Sequence, residues 1–589
     1  MLDKSKRDAE EALDQAAEWI GAFDAALTDG SERALATLFA ADSHWRNLLG
    51  MSWTFATFSG RETVVRELKQ RSAQAAAHGF RIATEMLLPR RAIMAGREVV
   101  EAVFAFETAN GPALGALRLV ASRSGRPVAW TLSTLLDFDR ICTTRESRAA
   151  ASTTRDFAAP DGLEQRQAAS AYHDRDPDVL IVGGGHAGIS AAVELKRIGL
   201  GALIVDREER IGDNWRQRYR GLKLHNKTPV NHLRYLPFPV TFPDYIPKDQ
   251  VANWLQSYVD IMELDFWTRT SFEGASYDDM SQRWTATLTR DGVSRTLRPK
   301  HIVIATSVSG TPNIPVIEDI ENFAGCVLHS SQFVAGKEWA GRSVVVFGTG
   351  TSAHDICQEL HAAGARVTMV QRSPTMIVNV EPAQLYDRTY LGDGPPIEVR
   401  DIINSGVPLP VMKMAHKLVT DEVKTLDAPL LARLARAGFR LEFGEDGTGW
   451  PLKFRSRGGG YYFNVGCSEL IADGKIRLIQ AADIDAFVAD GLRLKDGSML
   501  SAELFVLATG YKGLDHLLAR LFGAEVARRV GRVWGFDEAS QELRNMWTRT
   551  GQPGLWFTGG AFSQARIYSR LIALQIAAIE AGTLPKLLN

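Results

Sequence analysis

Two short stretches of this chain carry the residue types and spacing that hold a pyrophosphate. In the first, an apolar run over 179–182 leads into Gly183, Gly185 and Gly188. The first glycine permits a tight turn, the second lets backbone approach a ligand, and the third lets the next helix pack against the strand. The helix starts at the turn, so its free amides and dipole face the anion. A second run, ALIVD, ends in Asp206, at the distance along the chain where a carboxylate accepts a ribose hydroxyl. In the second stretch, VVVF precedes Gly348, Gly350 and Ala353, and the following run RVTMV ends in Gln371, Arg372 and Ser373. An acid at that strand end would repel a 2′-phosphate, whereas Arg372 can pair with one. The competing reading of Arg372 is a solvated strand-end arginine.

One chain therefore offers two dinucleotide sites of different preference. The first suits FAD and the second suits NADPH. Gln371 stands where a second basic residue would make the preference strict, so NADH stays open as a donor. A nicotinamide that gives a hydride and a flavin that receives it form a complete redox pair.

The elements that must position these turns follow from the pattern. From Asp178 onward the chain reads strand, glycine turn, helix, strand, as in parallel α/β sheets. Before it, Ala16, Ile20, Phe23 and Leu27 share one helical face, and a second amphipathic helix starts near Gly60. Strand-like runs follow (FRIATEMLL, REVVEAVFAFET, LGALRLVASR, VAWTLSTLLDF), with turns at Asn110–Gly111 and 123–127. Helices followed by a meander predict an α+β module with a curved sheet. Residues 143–176 are polar, alanine-rich and read as a linker.

Between the two glycine turns, Phe323, Gly325, His329 and Phe333 match F-x-G-x-x-x-H-x-x-x-[YF]. This resembles the fingerprint of flavin-containing monooxygenases; the related Baeyer–Villiger version has tryptophan where Phe333 stands. GDNW (Gly212, Trp215), LKLHNKTPVNHLRYLPFP, LATGY (Ala508, Thr509, Gly510) and GLWFTGG (Gly559, Gly560) resemble further segments of that family. The extra N-terminal module is similar to that of the type II flavin-containing monooxygenases, a group that includes Baeyer–Villiger enzymes, and it resembles a SnoaL-like cone domain.

The resemblance implies an α/β architecture of two Rossmann-like dinucleotide-binding domains, the NADPH domain inserted in the FAD domain, preceded by an α+β cone-like domain. The boundaries it implies are 1–142 for the module, 143–176 for the linker, 177–339 and 501–589 for the two parts of the FAD domain, and 340–500 for the NADPH domain. It implies an NAD(P)H- and O2-dependent monooxygenase that inserts one oxygen atom into a ketone, sulfide or amine by way of a C4a-(hydro)peroxyflavin. A decarboxylating monooxygenase of an α-keto acid such as indole-3-pyruvate is the alternative within the family. A pyridine-nucleotide reductase or NADPH oxidase is a more distant one.

The site residues it implies are Trp215, Thr509, Gly510, Gly559 and Gly560 around the cofactors, with Asn226 or Lys227 near the reactive edge of the flavin. His329 is a candidate for direct chemistry, with fixing of the interdomain loop the preferred role. Arg566 and Arg570 are read as solvated helix charges, the proline-broken segment 391–417 as a substrate-shaping loop, and His44 and Asp42 as non-catalytic.

Other classes are disfavoured by composition. A net charge of −1 and the lack of a basic block interleaved with aromatics argue against a nucleic-acid partner. Cys142, Cys326, Cys357 and Cys467 form no CxxC, so a redox dithiol or zinc site is not expected, and buried free thiols are. No metal site is expected. The N-terminus lacks the apolar core of a signal peptide, no stretch is long and apolar enough for a membrane span, and AGTLPKLLN carries no lipidation signal. The expected partners are a small-molecule substrate and O2, with a homodimer left open, in the cytoplasm.

Overall fold

The structure, a computed structural model, describes residues 2–123, 125–146 and 160–584. Of the expected linker, residues 147–159 lie outside the described residues, as do 585–589 of the C-terminal segment; the linker's later part contains the helix Gly162–Ser170.

Two five-stranded parallel sheets organise the chain beyond Asp178. The first runs Asp265–Trp267, Ala202–Val205, Val179–Val182, His301–Ile304 and Leu555–Phe557. All four residues of Val179–Val182 are buried, as expected of a central parallel strand covered on both faces. The helices His186–Arg197 and Phe562–Glu580 belong to this unit, so the last helix of the chain serves the first glycine turn. The second sheet runs Cys326–His329, Leu504–Leu507, Ser343–Phe347, Arg366–Gln371 and Arg477–Gln480. The α/β class with two Rossmann-type units is thus borne out. Cys326–His329 and Leu504–Leu507, which lie just outside the 340–500 expected for the inserted domain, are strands of the second sheet. Hydrogen bonding to Ser343–Phe347, not position along the chain, decides which sheet a strand joins.

The N-terminal unit is a seven-stranded sheet with Leu2–Thr28 packed on it through Ala16, Trp19, Ile20 and Phe23. It is not a simple meander after helices. Phe39–Leu48, unrecognised in the pattern, pairs in parallel with Val128–Leu136. FRIATEMLL supplies strand only as far as Ile82, where a turn begins, and Arg90–Met94 forms a separate hairpin with Arg97–Thr108.

The segment expected as a substrate-shaping loop is largely helical: Ile397–Ser405 and Leu409–Leu426. Each begins beside a proline (Pro396, Pro408), whose fixed φ suits a helix start. Buried pairs fasten this segment on two sides. Arg46 bonds Glu542 through Nε and Nη2 (2.8 and 2.6 Å) and also reaches the Ser405 carbonyl, while Arg118 donates to the Ile403 carbonyl at 2.9 Å. At Gly406 a Cβ would sit 2.6 Å from Ser133 Oγ and 3.0 Å from Ala116 Cβ, so side chains of the N-terminal sheet pack directly on the backbone of this segment there.

Candidate functional site

Both glycine turns open onto one cavity of about 1270 Å³. Gly183 has φ +109, and a Cβ there would lie 2.6 Å from the Ala305 carbonyl oxygen, so glycine alone fits this turn beneath the neighbouring strand. Gly185 faces the cavity; Gly188 instead packs the helix on the turn, within 2.0 Å of the Gly183 carbonyl for a Cβ. Asp206 lines the cavity, held by the amides of Gly184 (2.6 Å) and Glu208 (3.0 Å). Trp215 Nε1 and the Thr306 hydroxyl line the same wall and are buried without a protein partner. Buried polar atoms are nearly always paired in folded proteins, so these two donors mark where a bound group would be met. Gly559 and Gly560 line the cavity ahead of the N-terminus of Phe562–Glu580. The glycine cradle, the rigid carboxylate and the orphaned donors fit a dinucleotide such as FAD.

At the second turn Gly348 has φ +128, with the Ala508 carbonyl 2.4 Å from a would-be Cβ, whereas Gly350 faces open space. Ala353 is buried on the helix Thr351–Ala362 and touches the cavity. Arg372 and Ser373 are exposed at the strand end, outside the cavity wall. Arg440, which sequence reasoning missed, donates through its guanidinium to the Arg372 backbone carbonyl. Gln371 is buried and spent on structure: its amide accepts from Arg440 N at 2.8 Å and donates to Arg440 O at 2.9 Å. These residues fit a 2′-phosphorylated nicotinamide dinucleotide.

His329 is buried at the end of the strand Cys326–His329 of the second sheet. Nδ1 accepts from the Ser331 amide at 3.1 Å, so the ring proton sits on Nε2 and is donated to the Gly510 carbonyl at 3.0 Å. Burial, with help from Arg218, lowers its pKa and keeps it neutral. Both nitrogens are occupied, and His329 does not line the cavity. Thr509 is likewise turned away, its hydroxyl bonded to the Asn313 carbonyl at 2.6 Å, while Gly510 (φ +81) borders the cavity.

Asn226 faces the cavity and donates to Asp387 at 2.7 Å. Lys227, the other residue expected near the flavin edge, does not line the cavity. Its ammonium lies off the cavity and pairs with Glu381 at 2.8 Å, because the turn that points Asn226 inward points its neighbour outward. The sequence carried no signal for the rest of this end of the cavity. Burial pushes Asp387 up to about 6, against the Asn226 hydrogen bond and the nearby Arg455 charge. Burial and Arg455 together push His416 down to about 3. Arg455 lines this chamber beside Tyr386, Trp450 and Phe454, and donates to Met412 Sδ at 2.6 Å. Among the described residues no carboxylate lies within salt-bridge distance of it, and burial lowers its pKa.

Arg566 and Arg570 are not solvated. Arg566 is 2% exposed and makes a bidentate pair with Asp401, and Arg570 is buried with a pKa lowered by burial and by Arg234. None of the four cysteines lines the cavity, and Cys326 is exposed rather than buried as expected. His44 bonds Ser59 and lies off the cavity. Among the described residues no cluster fits a metal ion, and no helix is long and apolar enough to cross a membrane.

The fold and cavity define a mixed α/β protein with two Rossmann-type units facing one site. Residues 180–384 match the family described as "Pyridine nucleotide-disulphide oxidoreductase". The chain is similar to indole-3-pyruvate monooxygenase YUCCA1 of Oryza sativa subsp. japonica, at 27% identity over 57% of this chain and 77% of that protein. It is similar also to the probable indole-3-pyruvate monooxygenase YUCCA7 of Arabidopsis thaliana, at 29% over 56% and 74%. In fold it resembles ε-caprolactone-bound cyclohexanone monooxygenase (TM-score 0.53, 18% identity, 69% of this chain and 88% of that one). NADP+-bound cyclohexanone monooxygenase from Rhodococcus sp. Phi1 gives TM-score 0.52 at 18% identity, covering 69% and 85%. In sequence the chain is thus similar to indole-3-pyruvate monooxygenases, and in fold to cyclohexanone monooxygenase.

Proposed function

We propose that the protein is an FAD- and NADPH-dependent monooxygenase that uses O2 to insert one oxygen atom into a small ketone, sulfide or amine. The observation that carries this reading is the single cavity shared by both glycine turns. Its 1270 Å³ exceeds the roughly 300–1,000 Å³ of an ordinary small-ligand site, as two cofactors and a substrate require. FAD, when bound, would accept the hydride and activate oxygen. The protein's part is positioning and exclusion of water. Gly183 and Gly185, with the helix start at His186, would cradle the pyrophosphate, Asp206 the ribose, and Trp215 and Thr306 would meet the cofactor with their unpaired donors. Gly348 and Gly350 would hold the nicotinamide dinucleotide, with Arg372 and Arg440 at its 2′-phosphate. Asn226 is the amide poised at the chamber where substrate would react, and His329 is a positioning residue for Gly510.

The disulfide chemistry named by the matched family finds no support in this cavity, which lacks cysteine. The similarity to type II enzymes with a SnoaL-like module is supported by the seven-stranded N-terminal sheet and its long helix.

A second substrate reading rests on Arg455. A guanidinium with no carboxylate at salt-bridge distance among the described residues, though Asp387 stands nearby, in a chamber walled by Tyr386, Trp450 and Phe454, suits an aromatic acid as substrate. On that reading the enzyme oxidises an α-keto acid with loss of CO2.

The deciding experiment is anaerobic reduction of the purified holoprotein by NADPH followed by rapid mixing with O2. A transient flavin spectrum distinct from both the oxidised and reduced forms, whose decay is accelerated by a ketone, thioether or aromatic keto acid, supports the reading. Immediate return of oxidised flavin with stoichiometric hydrogen peroxide refutes it.

A further inference from the structure

The N-terminal module reaches the cavity. Its hairpin Arg90–Met94/Arg97–Thr108 pairs Met94 with Arg97, so Ala95 and Gly96 form a two-residue turn. Both have positive φ (+48 and +77), as the favoured two-residue hairpin turn requires. Ile93, Met94, Ala95 and Gly96 all line the cavity, and a Cβ on Gly96 would lie 3.3 Å from Leu418 Cδ1 of the helix Leu409–Leu426. Behind the tip, Val99 and Trp130 of the module form one apolar cluster with Val407 and Val411, against which Met94, Ala95 and Met412 pack. Met412 in turn contacts Arg455, and Arg455 stands near Asp387 and Asn226. An unbroken set of contacts thus runs from the hairpin tip to the substrate chamber.

The tip is also held rigidly. Burial works against ionisation of Glu101, yet Arg118 and Arg90 hold its carboxyl below the ordinary value, and Arg90 anchors the hairpin stem to it at 2.8 Å. Arg118 simultaneously bonds Ile403, so hairpin stem and cavity-lining segment share one buried anchor. A module serving only solubility or assembly would have no need for residues in the cavity wall. Ile93 is 76% exposed, an apolar side chain at the open side of a cavity rather than in a core.

The geometry points to the hairpin 90–97 as the outer wall of the substrate chamber, with Ile93 and Met94 setting the size of substrate admitted. This rests on the oxygenation reading for its kinetic arm but not for its binding arm.

The kinetic arm compares Ile93→Trp and Met94→Trp with Ile93→Ala and Met94→Ala, using methyl phenyl sulfide as the small substrate and benzyl phenyl sulfide as the large one. The expected result is a large-to-small ratio of kcat/KM lowered at least tenfold by tryptophan and raised by alanine. Anaerobic flavin reduction by NADPH verifies that each variant is assembled. Ratios within twofold of the parent for all four variants, or shifts in the same direction for both replacements, overturn the proposal. The binding arm places a thiol at the wall, Ile93→Cys with the exposed Cys326→Ser, and follows maleimide labelling of the holoprotein. Slowing of labelling by saturating benzyl phenyl sulfide, at least fivefold, supports the wall even if no oxygenation occurs. Labelling unaffected by the sulfide, while the sulfide demonstrably binds by calorimetry, overturns it.

Discussion

Arg566 and Asp401 are joined by two hydrogen bonds of 2.8 Å inside the molecule, with side chains 1% and 3% exposed. They come from distant parts of the chain: Arg566 from the helix that follows the cavity-lining Gly559 and Gly560, Asp401 from the helix Ile397–Ser405. Arg566 also donates to the carbonyls of His232 and Val230, so one guanidinium ties three parts of the cavity wall together. Removing one partner of a buried pair leaves the other charge uncompensated. Asp401→Asn should therefore destabilise the protein by about 3–5 kcal/mol, and the double change Asp401→Leu/Arg566→Met should recover part of the loss. Urea unfolding of the three proteins, followed through flavin release, measures this.

Arg372 and Arg440 lie side by side at the end of the strand Arg366–Gln371. A charge-assisted contact to a 2′-phosphate is worth about 1.5–3 kcal/mol when sheltered and less at an exposed strand end. Arg372→Ala should raise the KM for NADPH roughly tenfold and leave that for NADH nearly unchanged. Equal effects on both dinucleotides would refute the assignment.

Asp387 carries a pH signature. Its pKa lies near 6 in the folded protein against an ordinary 3.8, chiefly through burial. The native state therefore holds this proton more tightly than the unfolded chain does. The resulting stabilisation is complete below about pH 4 and is lost as pH rises through 6. Asn226→Ala removes the donor that favours the carboxylate and should move the native midpoint upward. Asp387→Asn should remove this contribution to the pH dependence. NMR or infrared titration of the carboxyl reads the midpoint directly.

His329 positions Gly510 through a neutral imidazole. His329→Ala should lower kcat for NADPH oxidation while the pH profile of kcat keeps its shape, because no titrating base is lost. Disappearance of an ionisation from that profile would make His329 a chemical participant instead.

Arg455 separates the two substrate readings. With an aromatic keto acid, Arg455→Met should reduce kcat/KM at least tenfold, the order of one charge-assisted pair, with little change for a neutral sulfide. A uniform loss across both would assign Arg455 to the integrity of the chamber.

The two glycine turns and the strands and helices around them were legible from local pattern. A glycine turn between an apolar strand and a helix start specifies its own geometry over a dozen residues, and Asp206 and Arg372 follow at fixed strand lengths. Lys227 shows where this ceases. Adjacent turn residues point in opposite directions, and only the path of the backbone made Asn226 the inward one. Sheet membership was also non-local: Cys326–His329 and Leu504–Leu507 join the second unit through hydrogen bonds to Ser343–Phe347. Asp387, His416, Arg440 and Arg455 carry no motif, since their roles arise from burial and from neighbours distant in sequence. The same is true of Arg566, whose helical spacing reads as solvated until Asp401 is brought against it. What the amino-acid order determined by itself was the pair of glycine turns, because backbone sterics and strand length act locally. What only the tertiary structure decided was the chamber around Asp387 and Arg455 and the reach of the N-terminal hairpin into the cavity wall, because desolvation and charge pairing depend on which distant segments pack together.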